Sequence, residues 1–167
     1  MTLTLAFLAA VVAHLAVRSA PVWGLLGATQ PLLLVVAAGT RRFQPAQAGW
    51  LGLGCGLAID VLCGRPVGPG GIASAAAGAI VAAVVARLEL TGPLFWVAAS
   101  LLVAAFFEAF WVSILLTLGA APSHAWLGTV ATVATAGSSG LAIAVGERAW
   151  RWWRSPERRR RRALRRR

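Results

Sequence analysis

The sequence contains no lysine and only five acidic residues among 167, and charged residues make up 13% of it. An ordinary soluble domain carries about 25% charged residues. Hydrophobic residues reach 59% and the mean hydropathy is +0.75. A soluble fold of this size would leave large apolar patches in contact with water. The composition therefore excludes an ordinary soluble domain and predicts a chain embedded in a lipid bilayer.

Residues that serve catalysis or metal binding are also scarce. The two cysteines, Cys55 and Cys63, would lie about 12 Å apart on one helix, beyond the reach of a disulfide. We expect both to be small apolar wall residues, and His14 to be a hydrogen-bonded interior residue of the first span. No metal-ligand spacing, nucleophile–base pair, phosphate loop or dinucleotide fingerprint is present. The sequence thus predicts no enzyme, no metal and no cofactor.

The positive charge is concentrated at one end of the chain. All sixteen basic residues are arginine, and eleven of them lie between residues 148 and 167. A nucleic-acid-binding domain would instead show a basic face on a folded core, so no nucleic-acid partner is expected. We divide the chain into a transmembrane helical bundle (1–147) and an arginine-rich cytoplasmic tail (148–167).

The tail begins with tryptophans and ends as nearly pure arginine. Its first part, with Trp150, Trp152 and Trp153, is predicted to be a helix lying on the inner leaflet. The remainder is expected to be drawn to anionic lipid, through Arg158, Arg159, Arg160, Arg161 and Arg162 in particular. The alternatives are a topology anchor without a partner and a binding segment for an acidic cytoplasmic protein.

Six apolar stretches approach the roughly 20 residues that a membrane-spanning helix needs. They cover residues 3–17, 22–40, 46–64, 71–86, 94–118 and 126–145, and glycine and proline fill most of the connections. The first is interpreted as a retained helix because it lacks the basic start of a signal peptide. Pro31 is expected to start the regular part of the second. No period-2 alternation occurs, so the predicted class is an all-α polytopic membrane bundle of about six helices.

The arginines also predict the orientation. With the N-terminus inside, Arg41, Arg42, Arg87 and the tail face the cytoplasm, whereas Arg18 and Arg65 face outward. This arrangement satisfies the positive-inside rule and leaves both termini in the cytoplasm. The predicted location is the bacterial inner membrane.

Small residues in the spans predict where helices pack closely in lipid. The packing candidates are Gly49, Gly52, Gly56 and Gly78. Spans three, four and six are richest in small residues and are expected at the centre of the bundle. The alternative is that a compositional bias toward alanine, glycine and arginine produces the same pattern.

Two acidic residues fall inside predicted spans, where a charge is costly and often functional. Asp60 lies near the outer end of span three. It is expected to accept hydrogen bonds from backbone N–H groups around residues 64–67, with partner binding as a compatible second role. Glu108 lies near the middle of span five. It is expected either to bind a partner or to form a hydrogen bond with a neighbouring helix as a protonated acid.

These features resemble the rod-shape-determining membrane protein family MreD. The resemblance rests on Gln30-Pro31 followed by an apolar run and Arg41-Arg42, on a glycine-rich span over residues 49–58, and on a following turn motif. In that motif Asp60, Gly64, Pro66 and Gly68 match the family's Asp-x-x-Ser-Gly-x-Pro-x-Gly, with Cys63 in place of serine. Glu108 is similar to an acid often found in the family's fifth helix. The similarity covers roughly residues 1–120 and does not include the arginine tail.

The resemblance implies a non-enzymatic scaffold of the cell-elongation machinery. Such a protein would dock MreC and thereby link MreB filaments to the RodA glycosyltransferase and a penicillin-binding transpeptidase. It also implies a bundle like the substrate-binding subunits of energy-coupling-factor transporters. Asp60 to Gly68 would shape its outer mouth, and Glu108 would line an inner cavity or partner groove. The alternative functions are a substrate-binding subunit of a small-solute, vitamin-like transporter and, less expected, an intramembrane enzyme.

Overall fold

A computed structural model describes residues 8–12, 31–64, 66–119 and 125–154. Every regular element in these ranges is an α-helix. Residues 8–12 form the described part of α1. The other helices are α2 (Pro31–Thr40), α3 (Pro45–Cys63), α4 (Pro69–Leu88), α5 (Gly92–Thr117) and α6 (Ala125–Arg154). Most of the first predicted span, with His14, and residues 22–30 of the second lie outside the described residues.

Four of these helices are long and apolar enough to cross a membrane. They cover Pro45–Cys63, Pro69–Leu88, Gly92–Thr117 and Thr129–Trp153, while Pro31–Thr40 is apolar but shorter. The prediction of an all-helical, multi-pass membrane protein is therefore confirmed at this level. The ends of α3, α4 and α5 fall within two residues of those predicted.

Proline and glycine set these helix ends. Proline occupies the first or second position of α3, α4 and α5, where the missing N–H costs no intrahelical hydrogen bond. Gly64 ends α3 with φ 62° and ψ 30°, a left-handed conformation that glycine adopts without steric cost. The short turns between α2, α3, α4 and α5 make successive helices antiparallel.

The core lies where α2, α4 and α5 meet. α4 packs between α3 and α5, and α2 packs against all three. Seven of the ten α2 residues are buried. The large side chains that are fully buried come from four helices and include Leu32, Val36, Ile59, Val81, Phe95 and Phe107.

The position of α6 differs from the prediction. α6 packs mainly against α5, makes a minor contact with α2 and is largely exposed, so its predicted place at the centre is wrong. Gly137 and Gly140 do face α5, beside Leu101 and Ser100. However, Ala134, Ser138, Ala142 and Gly146 are exposed. Small residues therefore mark both the packed and the open faces of this helix.

The sixth helix also continues further than predicted. α6 runs unbroken from Ala125 to Arg154, about 45 Å at 1.5 Å per residue, and crosses the expected boundary at residue 147. Residues 148–154 therefore belong to α6. Their helical conformation agrees with the prediction for the first part of the tail, and its position on the inner leaflet stays a prediction.

Candidate functional site

The turn between α3 and α4 is organised by the side chain of Asp60. This residue lies in the last turn of α3 and is 0% exposed. Its Oδ2 atom accepts hydrogen bonds from the backbone N–H groups of Gly68 and Gly70, both at 3.0 Å. The first N–H groups of a helix have no partner within that helix. Asp60 thus caps the start of α4 from the preceding helix, and its carboxyl group lies at the positive end of the α4 dipole.

This capping differs in detail from the prediction. The bonded N–H groups belong to Gly68 and Gly70, whereas the sequence suggested residues 64–67. The difference arises because Gly64 ends α3 in a left-handed turn, with its own N–H bonded back to the carbonyls of Asp60 and Val61. Gly68, at φ 130°, then turns the chain so that the first N–H groups of α4 point at the carboxylate.

Close contact between α3 and α4 depends on glycines that lie against the backbone of the other helix. A Cβ atom on Gly52 would overlap the Ser74 carbonyl, and one on Gly56 would overlap the Gly70 carbonyl. A Cβ atom on Gly78 would lie 2.6 Å from the carbonyl oxygen of Ala48. Of the four predicted packing glycines, Gly49 is looser, since its nearest neighbours would be 3.5 Å away.

Gly70 has a special place that sequence reasoning missed. A Cβ atom there would overlap the Asp60 carboxyl group. Only glycine can therefore bring this backbone N–H so close to Oδ2. The spacing from Asp60, which is ten residues, offered no local signal for this contact.

Two polar atoms remain unpaired in the same α3–α4 interface. Within the described part of the chain, Asp60 Oδ1 and Ser74 Oγ are buried without a hydrogen-bond partner. Ser74 is one turn beyond Gly70 on α4, so both atoms lie along the close α3–α4 contact.

Glu108 belongs to a different helix pair. It is 7% exposed, and the Thr129 hydroxyl of α6 donates a hydrogen bond of 3.4 Å to its Oε2 atom. This bond to a neighbouring helix agrees with one of the two roles expected for Glu108. Asp60 joins α3 to α4 and Glu108 joins α5 to α6, so the two acids serve separate contacts.

A polar cluster at the opposite end of the bundle was not predicted. We call this the arginine end: α2, α4 and α6 finish there, and α3 and α5 begin there. The Trp96 indole N–H of α5 donates to Glu147 Oε2 of α6 at 2.7 Å, and Arg151 forms an ion pair with the other carboxylate oxygen. The Arg41 guanidinium lies over the Phe95 ring, 5.5 Å from its centroid. The Trp96–Glu147 and Arg41–Phe95 contacts join residues more than 50 positions apart, too far for a sequence pattern to reveal, whereas Glu147 and Arg151 are one helical turn apart.

The predicted lipid-binding residues are described only in part. Trp150, Trp152 and Trp153 are all exposed at the end of α6. Residues 155–167, which include Arg158 to Arg162, lie outside the described residues, as does Arg65.

Neither cysteine is in a disulfide, and Cys55 is buried. In the ranges that the structure describes, no group of three or more histidine, cysteine, aspartate or glutamate side chains is placed to hold a metal ion.

Comparison with known proteins gives no match: no protein-family model fits the chain, and neither the curated proteins nor the solved structures include a significant relative.

Proposed function

We propose that this protein is a non-enzymatic scaffold of the bacterial cell-elongation machinery, similar to MreD. In this role it docks an MreC-like single-pass membrane protein. Through that partner it links MreB indirectly to RodA and a penicillin-binding transpeptidase, and so helps to set cell shape. The observation that carries the proposal is the hairpin that Asp60 builds with the start of α4.

The hairpin supports the resemblance because it gives the motif positions physical roles. Asp60 supplies the acceptor, Gly64 ends α3, and Gly68 redirects the chain into α4. The spacing between these residues is therefore required by the hairpin geometry. A chain that shares the spacing is expected to share the hairpin, and with it the shape of the outer mouth.

The distribution of arginine supports the proposed orientation. In the described ranges, Arg41, Arg42, Arg87, Arg148 and Arg151 all belong to the arginine end. By the positive-inside rule this end faces the cytoplasm. With two spans before α3, the protein crosses the bacterial inner membrane six times, and both termini lie in the cytoplasm.

The exposed face of α6 is the proposed docking surface for the partner helix. Four small residues repeat there at four-residue spacing, which lets a second backbone approach closely in lipid: Ala134, Ser138, Ala142 and Gly146. Glu108 lies under the first turns of this helix, bonded to Thr129, and contributes a polar group near the docking surface.

The test is co-purification of the full chain with the MreC-like protein of the same organism from detergent. Ala142→Leu is expected to abolish co-purification because the larger side chain holds the partner backbone away. Ala105→Leu is the matched control, since Ala105 is an exposed alanine on α5. Asp60→Ala should weaken docking or bundle assembly while membrane insertion stays intact.

The outcomes separate the candidate functions. Failure of the unaltered chain to retain the MreC-like protein would reject the scaffold. Retention of the MreC-like protein by Ala142→Leu as well as by Ala105→Leu would reject α6 as the docking surface but would not reject the scaffold. Recovery of an ATPase or coupling subunit in place of the MreC-like protein would instead favour a substrate-binding subunit of a small-solute transporter.

A further inference from the structure

Arg41 is held in a fixed position at the arginine end. It directly follows α2, is exposed, and its guanidinium carbon lies 5.5 Å from the centroid of the Phe95 ring. Phe95 itself is 0% exposed, and its ring meets the edge of Trp96 at a centroid distance of 5.3 Å. A buried aromatic ring in this position is a platform for a cation. The platform orients the guanidinium and limits the entropy lost when its N–H groups bind an acceptor.

No carboxylate of the described residues pairs with Arg41. The ion pair found in these ranges joins Arg151 to Glu147. The other oxygen of Glu147 accepts the Trp96 N–H at 2.7 Å, so both of its oxygens are engaged. Arg41 thus has a cation–π contact with Phe95 and a longer-range attraction to Glu147, and its exposed N–H donors can bind an acceptor from outside the bundle.

The surroundings of Arg41 match the headgroup level of a membrane. Exposed tryptophans lie toward the same end of the bundle, with Trp50 near the start of α3 and Trp150 near the end of α6. Tryptophan is enriched where the hydrocarbon core meets the headgroups. Six arginines and two glutamates of the described ranges lie at this end, so an anionic headgroup is favoured over a neutral one. They are Arg41, Arg42, Arg87, Arg148, Arg151, Arg154, Glu89 and Glu147.

We propose that Arg41, oriented by Phe95, binds the phosphate group of one anionic phospholipid. The guanidinium donates two N–H groups to the phosphate oxygens in the bidentate geometry that arginine favours. This site is built by the bundle and is separate from the diffuse attraction of the arginine tail to lipid. It stands whether or not the protein docks an MreC-like partner. A carboxylate of an acidic protein segment has related chemistry, but the flanking tryptophans favour lipid.

The test uses the full chain in a neutral detergent, titrated with phosphatidylglycerol and followed by native mass spectrometry. Arg41→Lys keeps the charge but loses the planar fork and the stacking. Arg87→Lys is the matched control at the same end, since Arg87 makes no aromatic contact among the described residues. Arg41→Gln removes the charge as well. Circular dichroism and size-exclusion chromatography establish that each variant is folded.

We expect one tightly retained phosphatidylglycerol per unaltered chain, which phosphatidylcholine does not replace and millimolar inorganic phosphate does not displace. Arg41→Lys should raise the lipid concentration at half-occupancy by about two- to fivefold, whereas Arg87→Lys should leave it unchanged. Equal affinity of Arg41→Lys and the unaltered chain would overturn the proposal, because charge alone would then explain binding. The proposal would also be overturned if both lysine variants lost lipid affinity equally, if no lipid were retained, or if an acidic peptide displaced the lipid.

Discussion

The indole N–H of Trp96 on α5 and the carboxylate of Glu147 on α6 form a hydrogen bond of 2.7 Å between residues 51 positions apart. α6 is otherwise the least enclosed of the long helices. Its closest glycine contacts with α5 lie earlier in the helix, at Gly137 and Gly140. The Trp96–Glu147 bond therefore fixes the end of α6 against the start of α5, and Arg151 extends this contact into the predicted tail.

Trp96→Phe should loosen that end of α6. The substitution keeps an aromatic side chain but removes the N–H donor, and a hydrogen bond to a charged group contributes about 1.5–3 kcal/mol. Because the Glu147 side chain is 24% exposed and also paired with Arg151, we expect a loss of about 1 kcal/mol in the free energy of unfolding, measured by denaturant titration in detergent micelles. Trp50→Phe is the control, since Trp50 is 73% exposed. Equal stability of the two variants would contradict a structural role for this bond.

Gly56→Ala should separate α3 from α4. The added methyl group would overlap the Gly70 carbonyl, which belongs to backbone and cannot turn aside. Overpacking of this kind costs about 1–3 kcal/mol. Gly54→Ala, on the same helix, is the control because nothing lies within 4 Å of its Cβ position. That variant should be neutral or slightly more stable, as alanine favours helix. The comparison is made by thermal unfolding in detergent, and a Gly56 variant as stable as the Gly54 variant would reject the close contact.

Asp60→Ala should destabilise the α3–α4 hairpin more than Asp60→Asn. Alanine leaves the buried N–H of Gly70 and the partly buried N–H of Gly68 without an acceptor, at a cost of about 1–3 kcal/mol for a buried group, whereas asparagine keeps one carbonyl oxygen for them. Amide hydrogen exchange of Gly68 and Gly70 measures the effect locally, and protection should fall most in the alanine variant. Ser74→Ala serves as control because the Ser74 hydroxyl has no hydrogen-bond partner among the described residues. Unchanged protection in Asp60→Ala would show that the N–H groups do not depend on this carboxylate.

The arginine tail should bind anionic membranes through charge. In nanodiscs of phosphatidylglycerol, trypsin should cleave residues 158–167 more slowly than in phosphatidylcholine, since each arginine near the surface contributes about 1 kcal/mol. High salt should remove the difference because it screens exposed charges. A chain lacking residues 156–167 should retain the helical content of the full protein. Equal cleavage rates in both lipids would indicate that the tail does not rest on the membrane.

Sequence reasoning was most successful where local backbone chemistry decides the structure. Proline and glycine set the ends of α3, α4 and α5, and the buried acid Asp60 could be expected to bond to nearby N–H groups. Both signals act within about ten residues. The transmembrane class followed from composition alone.

The inner and outer faces of the helices could not be predicted in the same way. In lipid the outward side chains are as apolar as the inward ones, so hydrophobic periodicity does not identify the core. Small residues were the remaining guide, and on α6 they occur on the face toward α5 at Gly140 and on the open face at Ala142. The Trp96–Glu147 and Arg41–Phe95 contacts depend on the packing of distant helices, and nothing local marks them.

The bond from Asp60 to the start of α4 also bears on how the protein is made. During synthesis α3 leaves the ribosome first, and its carboxylate is ready before the N–H groups of Gly68 and Gly70 reach the membrane. Unpaired backbone groups are costly in hydrocarbon. We therefore expect the two helices to leave the translocation channel together as one hairpin, in which Asp60 of α3 already accepts hydrogen bonds from the first N–H groups of α4.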